Sequence, residues 1–166
     1  VTEKRMGFTH DNKDNTTVDW WTPKWVFDSL GETFDIDVAA PEGGVPWIPA
    51  GLYFTKETDG LKQDWGNCFV WCNPPYGRET GAWMRRMQQH NNGIALVFSR
   101  TDCLWFHEYC VLAEAIVFLR GRISFIDGYG ATKSSGAGAG SMLVGFGERA
   151  DKALRRIGGL GAYVKP

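Results

Sequence analysis

Cys68-Phe69-Val70-Trp71-Cys72-Asn73-Pro74-Pro75-Tyr76-Gly77 is the stretch on which the fold turns. Its first five residues are apolar without a break. That is the length of a strand, without the alternation of a strand that has one wet face. It predicts a strand covered on both sides, the habit of parallel sheets. Two prolines then fix two backbone angles and remove two N–H donors, so the strand stops abruptly. The same signature recurs at 93–99, around Ile94-Ala95-Leu96-Val97-Phe98, and at Ala115 to Leu119. Phe34 to Ala40 alternates like a strand and ends in small residues, and Leu52-Tyr53-Phe54 could form a short one.

Helical patterns lie between these runs. Trp20-Trp21-Thr22-Pro23 opens the first, with Thr22 suited to cap it and Pro23 to its first turn. Trp25, Val26 and Leu30 supply its apolar stripe, and Gly31 ends it. Thr80 to His90, Cys103 to Leu112 and Ala150 to Ile157 read as further helices. Arg122 to Ile126 and Met142 to Phe146 read as two strands of a hairpin, joined by the Gly/Ala/Ser-rich segment 127–141 that includes Lys133. Tyr163-Val164 would be a last edge strand. Strands alternating with helices predict an α/β fold: a mostly parallel sheet flanked by helices, with a C-terminal antiparallel hairpin. Sites in such sheets lie beyond the carboxyl ends of the strands. Asp37, Asn73 and Arg100-Thr101-Asp102 stand at those ends.

The chain has 166 residues, 43% of them apolar and 22% charged, which suits one globular domain with its own core. Residues 1–18 read as a flexible tail and 19–166 as the domain. No apolar run approaches the ~20 residues needed to cross a bilayer. The N-terminus lacks the apolar core of a signal peptide, so a cytoplasmic location is expected. Net charge is −1, divided into −6 over residues 1–65 and +5 over 66–166. Every arginine from Arg78 onward belongs to the positive part, a pointer to an acidic partner. Cys68 and Cys72 would face one way along a strand, while Cys103, His107 and Cys110 would share a helical face. These could make a zinc site, but no Cys-x-x-Cys pair is present, and small buried thiols are the preferred reading. No metal is expected.

The chemistry concentrates in Asn73-Pro74-Pro75-Tyr76. In a diproline turn the carbonyls have few local donors and can point outward. Asn73 adds a side-chain acceptor, and Tyr76 a ring on which a flat base can stack. Together they suit a planar molecule with an exocyclic amine, its two hydrogens bonded to the Asn73 side-chain oxygen and the Pro74 carbonyl. The nitrogen lone pair would then be held toward an electrophile.

This tetrapeptide resembles the catalytic motif of amino-methyltransferases that use S-adenosylmethionine. Further segments follow in one order: Trp21-Thr22-Pro23, the strand ending at Asp37, Asp59-Gly60-Leu61 with Trp65, Arg100-Thr101-Asp102 with Trp105-Phe106-His107, and Phe118-Leu119-Arg120-Gly121-Arg122. The series, over residues 19–147, resembles the small phage-type DNA N6-adenine methyltransferases. The resemblance implies a Rossmann-like class I methyltransferase fold, S-adenosylmethionine as cofactor without metal, and double-stranded DNA as partner. It further implies direct in-line transfer to a flipped adenine, in a bacteriophage or restriction-modification setting. Asn73, Pro74, Pro75 and Tyr76 would be catalytic. Trp21, Thr22, Pro23, Asp37, Ala39 and Asp59 would hold the cofactor. Arg78, Arg100, Asp102, Arg120 and Arg122 would meet DNA, Arg120 and Arg122 as a phosphate clamp about Gly121. The chain departs from many relatives in one place. A Gly-rich loop after the first strand is replaced by Asp37-Val38-Ala39-Ala40-Pro41, and small alanines admit a ligand less closely than glycines.

Alternatives remain at this point. The same tetrapeptide serves enzymes acting on RNA adenine or on protein glutamine, and an inactive DNA-binding relative would keep the fold. Cytosine-N4 enzymes more often carry Ser in the first position, so Asn73 favours adenine. No block of chain is left over for a separate target-recognition domain, so short loops must read the target, and a GATC-like site is implied by the resemblance alone. Oligomeric state is left open, a monomer being compatible.

Overall fold

The computed structural model describes residues 20–128 and 138–166. The tail expected over 1–18, and most of the 127–141 connection with Lys133, lie outside the described residues. The elements run α1 (Lys24–Leu30), β1 (Phe34–Asp37), β2 (Ala50–Tyr53), β3 (Val70–Cys72), α2 (Thr80–His90), β4 (Gly93–Phe98), α3 (Leu104–Glu108), β5 (Ala115–Leu119), β6 (Ser141–Phe146), α4 (Glu148–Arg156) and β7 (Gly161–Val164), with 3-10 turns at 110–112 and 158–160.

All seven strands join one sheet in the order β2-β1-β3-β4-β6-β5-β7. The sheet is mixed rather than mostly parallel. β1 pairs in parallel with β2 and β3, and β3 with β4, while the β4–β6, β6–β5 and β5–β7 pairings are antiparallel. β6 is thus a reversed strand between β4 and β5, not an arm of a hairpin with Arg122–Ile126. All six of its residues are buried, which a strand can sustain only with neighbours on both edges and cover on both faces. The 122–126 segment forms no strand. Its Ile123 and Phe125 point into the core, and Ile126 makes an isolated two-bond bridge with Trp21. Alternation revealed one covered face there, but not the partner.

The sheet divides the core in two. Along β4, Ile94 and Leu96 pack on one side with residues of α1 and α4, and Ala95 and Val97 on the other with residues of α2. Along β3, Trp71 faces the first side, Val70 and Cys72 the second. The unbroken apolar runs therefore mark strands buried on both faces. α4 approaches β6 closely because Gly145 leaves room; a Cβ there would lie 2.7 Å from Leu154 Cδ1.

Two helix expectations change. Pro23, not Thr22, takes the N-cap position of α1, and no side chain caps the helix. Trp25 is half exposed, the buried stripe being Val26, Phe27 and Leu30. The helix expected over Cys103–Leu112 breaks at Tyr109, leaving Cys103 outside α3 and Cys110 in a 3-10 turn. The shared face of Cys103, His107 and Cys110 does not form. Among the described residues no group of three or more His, Cys, Asp or Glu is placed to hold a metal ion.

Candidate active site

β1 to β4 run one way, and β5 runs with them because both it and β4 oppose β6. Their carboxyl ends share one rim of the sheet. A cavity of about 780 Å³ opens there, above β1 and β3. It is bounded by Trp20–Thr22, the chain leaving β1, the Asp59–Leu61 turn and the turn after β3.

The diproline turn is held from inside. Thr80 at the start of α2 accepts from the Gly77 N–H (3.2 Å) and donates to the Pro75 carbonyl (3.1 Å). The Pro75 carbonyl is thereby spent. The Pro74 carbonyl makes no hydrogen bond among the described residues. Asn73 Nδ2 donates to the Trp20 carbonyl at 2.8 Å, which fixes the orientation of the amide. The Trp21–Ile126 bridge holds Trp20 in place for this (2.8 and 3.0 Å). Asn73 Oδ1 accepts from Tyr76 Oη at 3.1 Å. The Tyr76 ring stacks on Phe98, with centroids 4.1 Å apart. Burial, with a smaller contribution from Cys72, raises the Tyr76 phenol well above its usual pKa, so it stays a donor.

Asp37 ends β1 and is 3% exposed. Burial pushes its carboxyl up to about 7, against a weaker opposing hydrogen bond from the Ala39 N–H. No cation is paired with it among the described residues. Beside it, Cys72 is raised by burial first and by Asp37 second. Asp59 adopts positive φ (55°) and pairs with Lys62, which is well exposed. Gly60 lies against β1 so tightly that a Cβ would stand 1.9 Å from the Val38 carbonyl oxygen. Trp65 fastens that turn by donating its indole N–H to the Gly60 carbonyl at 2.8 Å.

Of the predicted residues, Asn73, Pro74, Pro75, Tyr76, Trp21, Thr22, Asp37, Ala39 and Asp59 all line the one cavity. Pro23 does not; it sits at the head of α1. Arg78 is exposed two residues beyond Tyr76. Arg100 and Asp102 are exposed on the turn after β4, and no ion pair joins them. Arg120 donates to the Gly159 carbonyl (3.2 Å), and Arg122 is exposed beyond Gly121. His107 makes a 2.8 Å hydrogen bond with the Thr101 carbonyl oxygen. Sequence reasoning passed over Trp20, Glu42, Lys56, Glu79 and Trp83 in the lining, and Phe98 behind Tyr76. Trp20 acts through a backbone carbonyl, which no side-chain signal announces.

S-adenosylmethionine, which the sequence resemblance implies, carries a sulfonium, an ammonium, a ribose diol and a flat base. The lining offers Asp37, Glu42, Asp59 and Glu79 against one ammonium, Lys56. Two buried polar atoms on it, Trp21 Nε1 and Thr22 Oγ1, have no hydrogen-bond partner among the described residues. Buried polar groups are seldom left unpaired without a reason, and a polar ligand is one. The donor set and the acidic balance fit the cofactor.

The cleft at the strand ends of this α/β sheet sets the turn carrying Asn73 and Pro74 beside a chamber lined by four carboxylates. The family comparison then gives the class by name. The model of the DNA N-6-adenine-methyltransferase (Dam) family matches residues 9–157, most of the chain. The chain belongs to that family and is an adenine-specific DNA methyltransferase. Searches of curated proteins and of solved structures give no match.

Proposed function

We propose that the enzyme methylates adenine N6 in double-stranded DNA with S-adenosylmethionine as donor, the target base being rotated out of the duplex into the pocket at residues 73–76. The observation that carries this reading is the pair of acceptors: an Asn73 amide oriented by the Trp20 carbonyl, next to a Pro74 carbonyl with no hydrogen-bond partner among the described residues. They can take the two hydrogens of one amino group.

Asp37, Asp59, Trp21, Thr22 and Ala39 would hold the cofactor, which when bound supplies a methyl group on a positively charged sulfur. The acidic lining favours that charge. Asn73 and Pro74 draw both amine hydrogens to one side and so turn the N6 lone pair away from the ring's π-system. The methylated nitrogen then carries one proton more than the product needs. That proton is acidic and passes to water, so His107 is not required as a base. Flipping costs a few kcal/mol. Tyr76 offsets it by stacking, worth ~1–3 kcal/mol per base. The acceptor named in the family description is DNA adenine, which places RNA adenine and protein glutamine behind it.

Replacing Asn73 by Ala should lower turnover at least about 100-fold, as loss of one preorganised polar group does. Cofactor affinity, measured by calorimetry, should stay within a few-fold. Near-normal methylation of DNA by this variant would sink the proposal. The same reading has residues 19–166 acting as one methyltransferase domain in a bacterial cytoplasm, reading its target through short loops. Methylating unmodified DNA and mapping the modified adenines by sequencing gives that target.

A further inference from the structure

The acceptor on which the proposed chemistry depends is already engaged. Tyr76 Oη donates to Asn73 Oδ1, and the Tyr76 ring lies 13° from parallel on Phe98 at 4.1 Å. A phenol is a flat ring carrying a hydrogen-bond donor, and so is an aminopurine. Tyr76 therefore satisfies the acceptor that the target amine must reach. Phe98 comes from β4, the neighbouring strand, so it grips the ring from outside the turn. Thr80 staples the turn itself, which leaves side-chain rotation as the way Tyr76 can release Asn73. The two rings are already in contact, so that rotation must separate them.

We propose that Phe98 is a positioning residue for the base site: it holds Tyr76 in the resting pose that caps Asn73, and the target base enters by displacing Tyr76 from both. This rests on the reading of Asn73 as the amine acceptor. The fraction of enzyme with an open acceptor is small while the stack holds, and apparent affinity for DNA falls by that fraction. Phe98 acts through Tyr76 and does not touch the reacting atoms. Loosening it should ease substrate entry without slowing methyl transfer.

Steady-state methylation of unmethylated plasmid DNA, with tritiated cofactor at saturation, tests this. Phe98→Leu keeps apolar bulk and removes the flat face. Its KM for DNA should fall about three- to tenfold with kcat unchanged. Phe98→Tyr restores the flat face and should return KM to the wild-type value. Tyr76→Phe, which keeps the ring and loses the hydroxyl, should shift KM downward as well. An unchanged or raised KM in Phe98→Leu, or a lowered kcat, with melting temperature preserved, overturns the proposal. If Phe98→Leu does not fold, Tyr76→Phe decides: a lower KM supports the latch, an unchanged or higher one overturns it. Failure of the underlying reading would show separately, as turnover surviving in Asn73→Ala.

Discussion

Asp37 pairs two needs that conflict. A carboxylate buried without a cation resists ionisation, and burial holds it at about 7 where an unfolded aspartate titrates at 3.8. Because the folded pKa is raised, the native state binds the extra proton between those values. Asp37 therefore contributes stability that is complete below about pH 4 and is lost as pH rises through 7. Asp37→Asn should raise the melting temperature at pH 8 and raise it by less than half as much at pH 5. The gain should be at most about 4 kcal/mol, the full pKa displacement converted at 1.36 kcal/mol per unit. Cofactor affinity of the wild type should rise with pH through 7, since a cationic ligand selects the ionised form. Thermal unfolding and calorimetry at both pH values check these together. Sequence pointed to Asp37 from its place at a strand end. Its burial, and so its pKa, depends on Cys72 and the chain after β1 closing over it.

Elements were legible where local pattern and packing agree. β3, β4 and β5 follow from apolar runs of strand length, and α2 from Trp83 and Met87 four apart on its buried side. Errors came where pairing partners matter. Nothing local tells β6 from a hairpin arm, because pairing is decided by a segment about 50 residues earlier, as Ile94 opposite Gly145 illustrates. Thr22 read as a cap for the same reason: a hydroxyl before a helix suits capping, yet this one lines the cavity with no hydrogen-bond partner among the described residues. The turn at 59–61 offers a test at this scale. Gly60→Ala forces a methyl against the Val38 carbonyl oxygen. The turn must withdraw from β1, at a cost of about 1–3 kcal/mol. Cofactor binding should weaken in parallel, read by denaturant unfolding and titration calorimetry. A fully stable Gly60→Ala protein would show that the turn is looser than its contact suggests.

Across the whole molecule, charge is unevenly distributed. The acidic N-terminal half supplies most of the cavity's carboxylates, and exposed Arg78 and Arg100 each follow the Tyr76–Phe98 ring pair by two residues. Arg100→Ala should weaken binding to all DNA sequences alike and lower the slope of log affinity against log salt by about one. Away from the site, Glu32 ties the start of β1 to α4. It takes Arg149 at 2.9 Å and Arg156 at 2.6 Å. Burial raises its pKa, but these two arginines outweigh that and hold it below the usual carboxylate value. Glu32→Gln should cost about 1 kcal/mol at low salt, and less at high salt, because both arginines are half exposed. Melting curves at two ionic strengths measure it.

The sequence by itself determined the α/β class, the doubly covered strands and the turn that carries Asn73 and Tyr76. Those follow from side-chain polarity and proline stereochemistry within a few residues. Only the tertiary structure decided that β6 runs backward between β4 and β5, that Trp20 lends a carbonyl to Asn73, and that Phe98 sits under Tyr76. Each joins groups far apart in the chain, where the favourable contact is a matter of three-dimensional closure and leaves no periodic trace in the residues that make it.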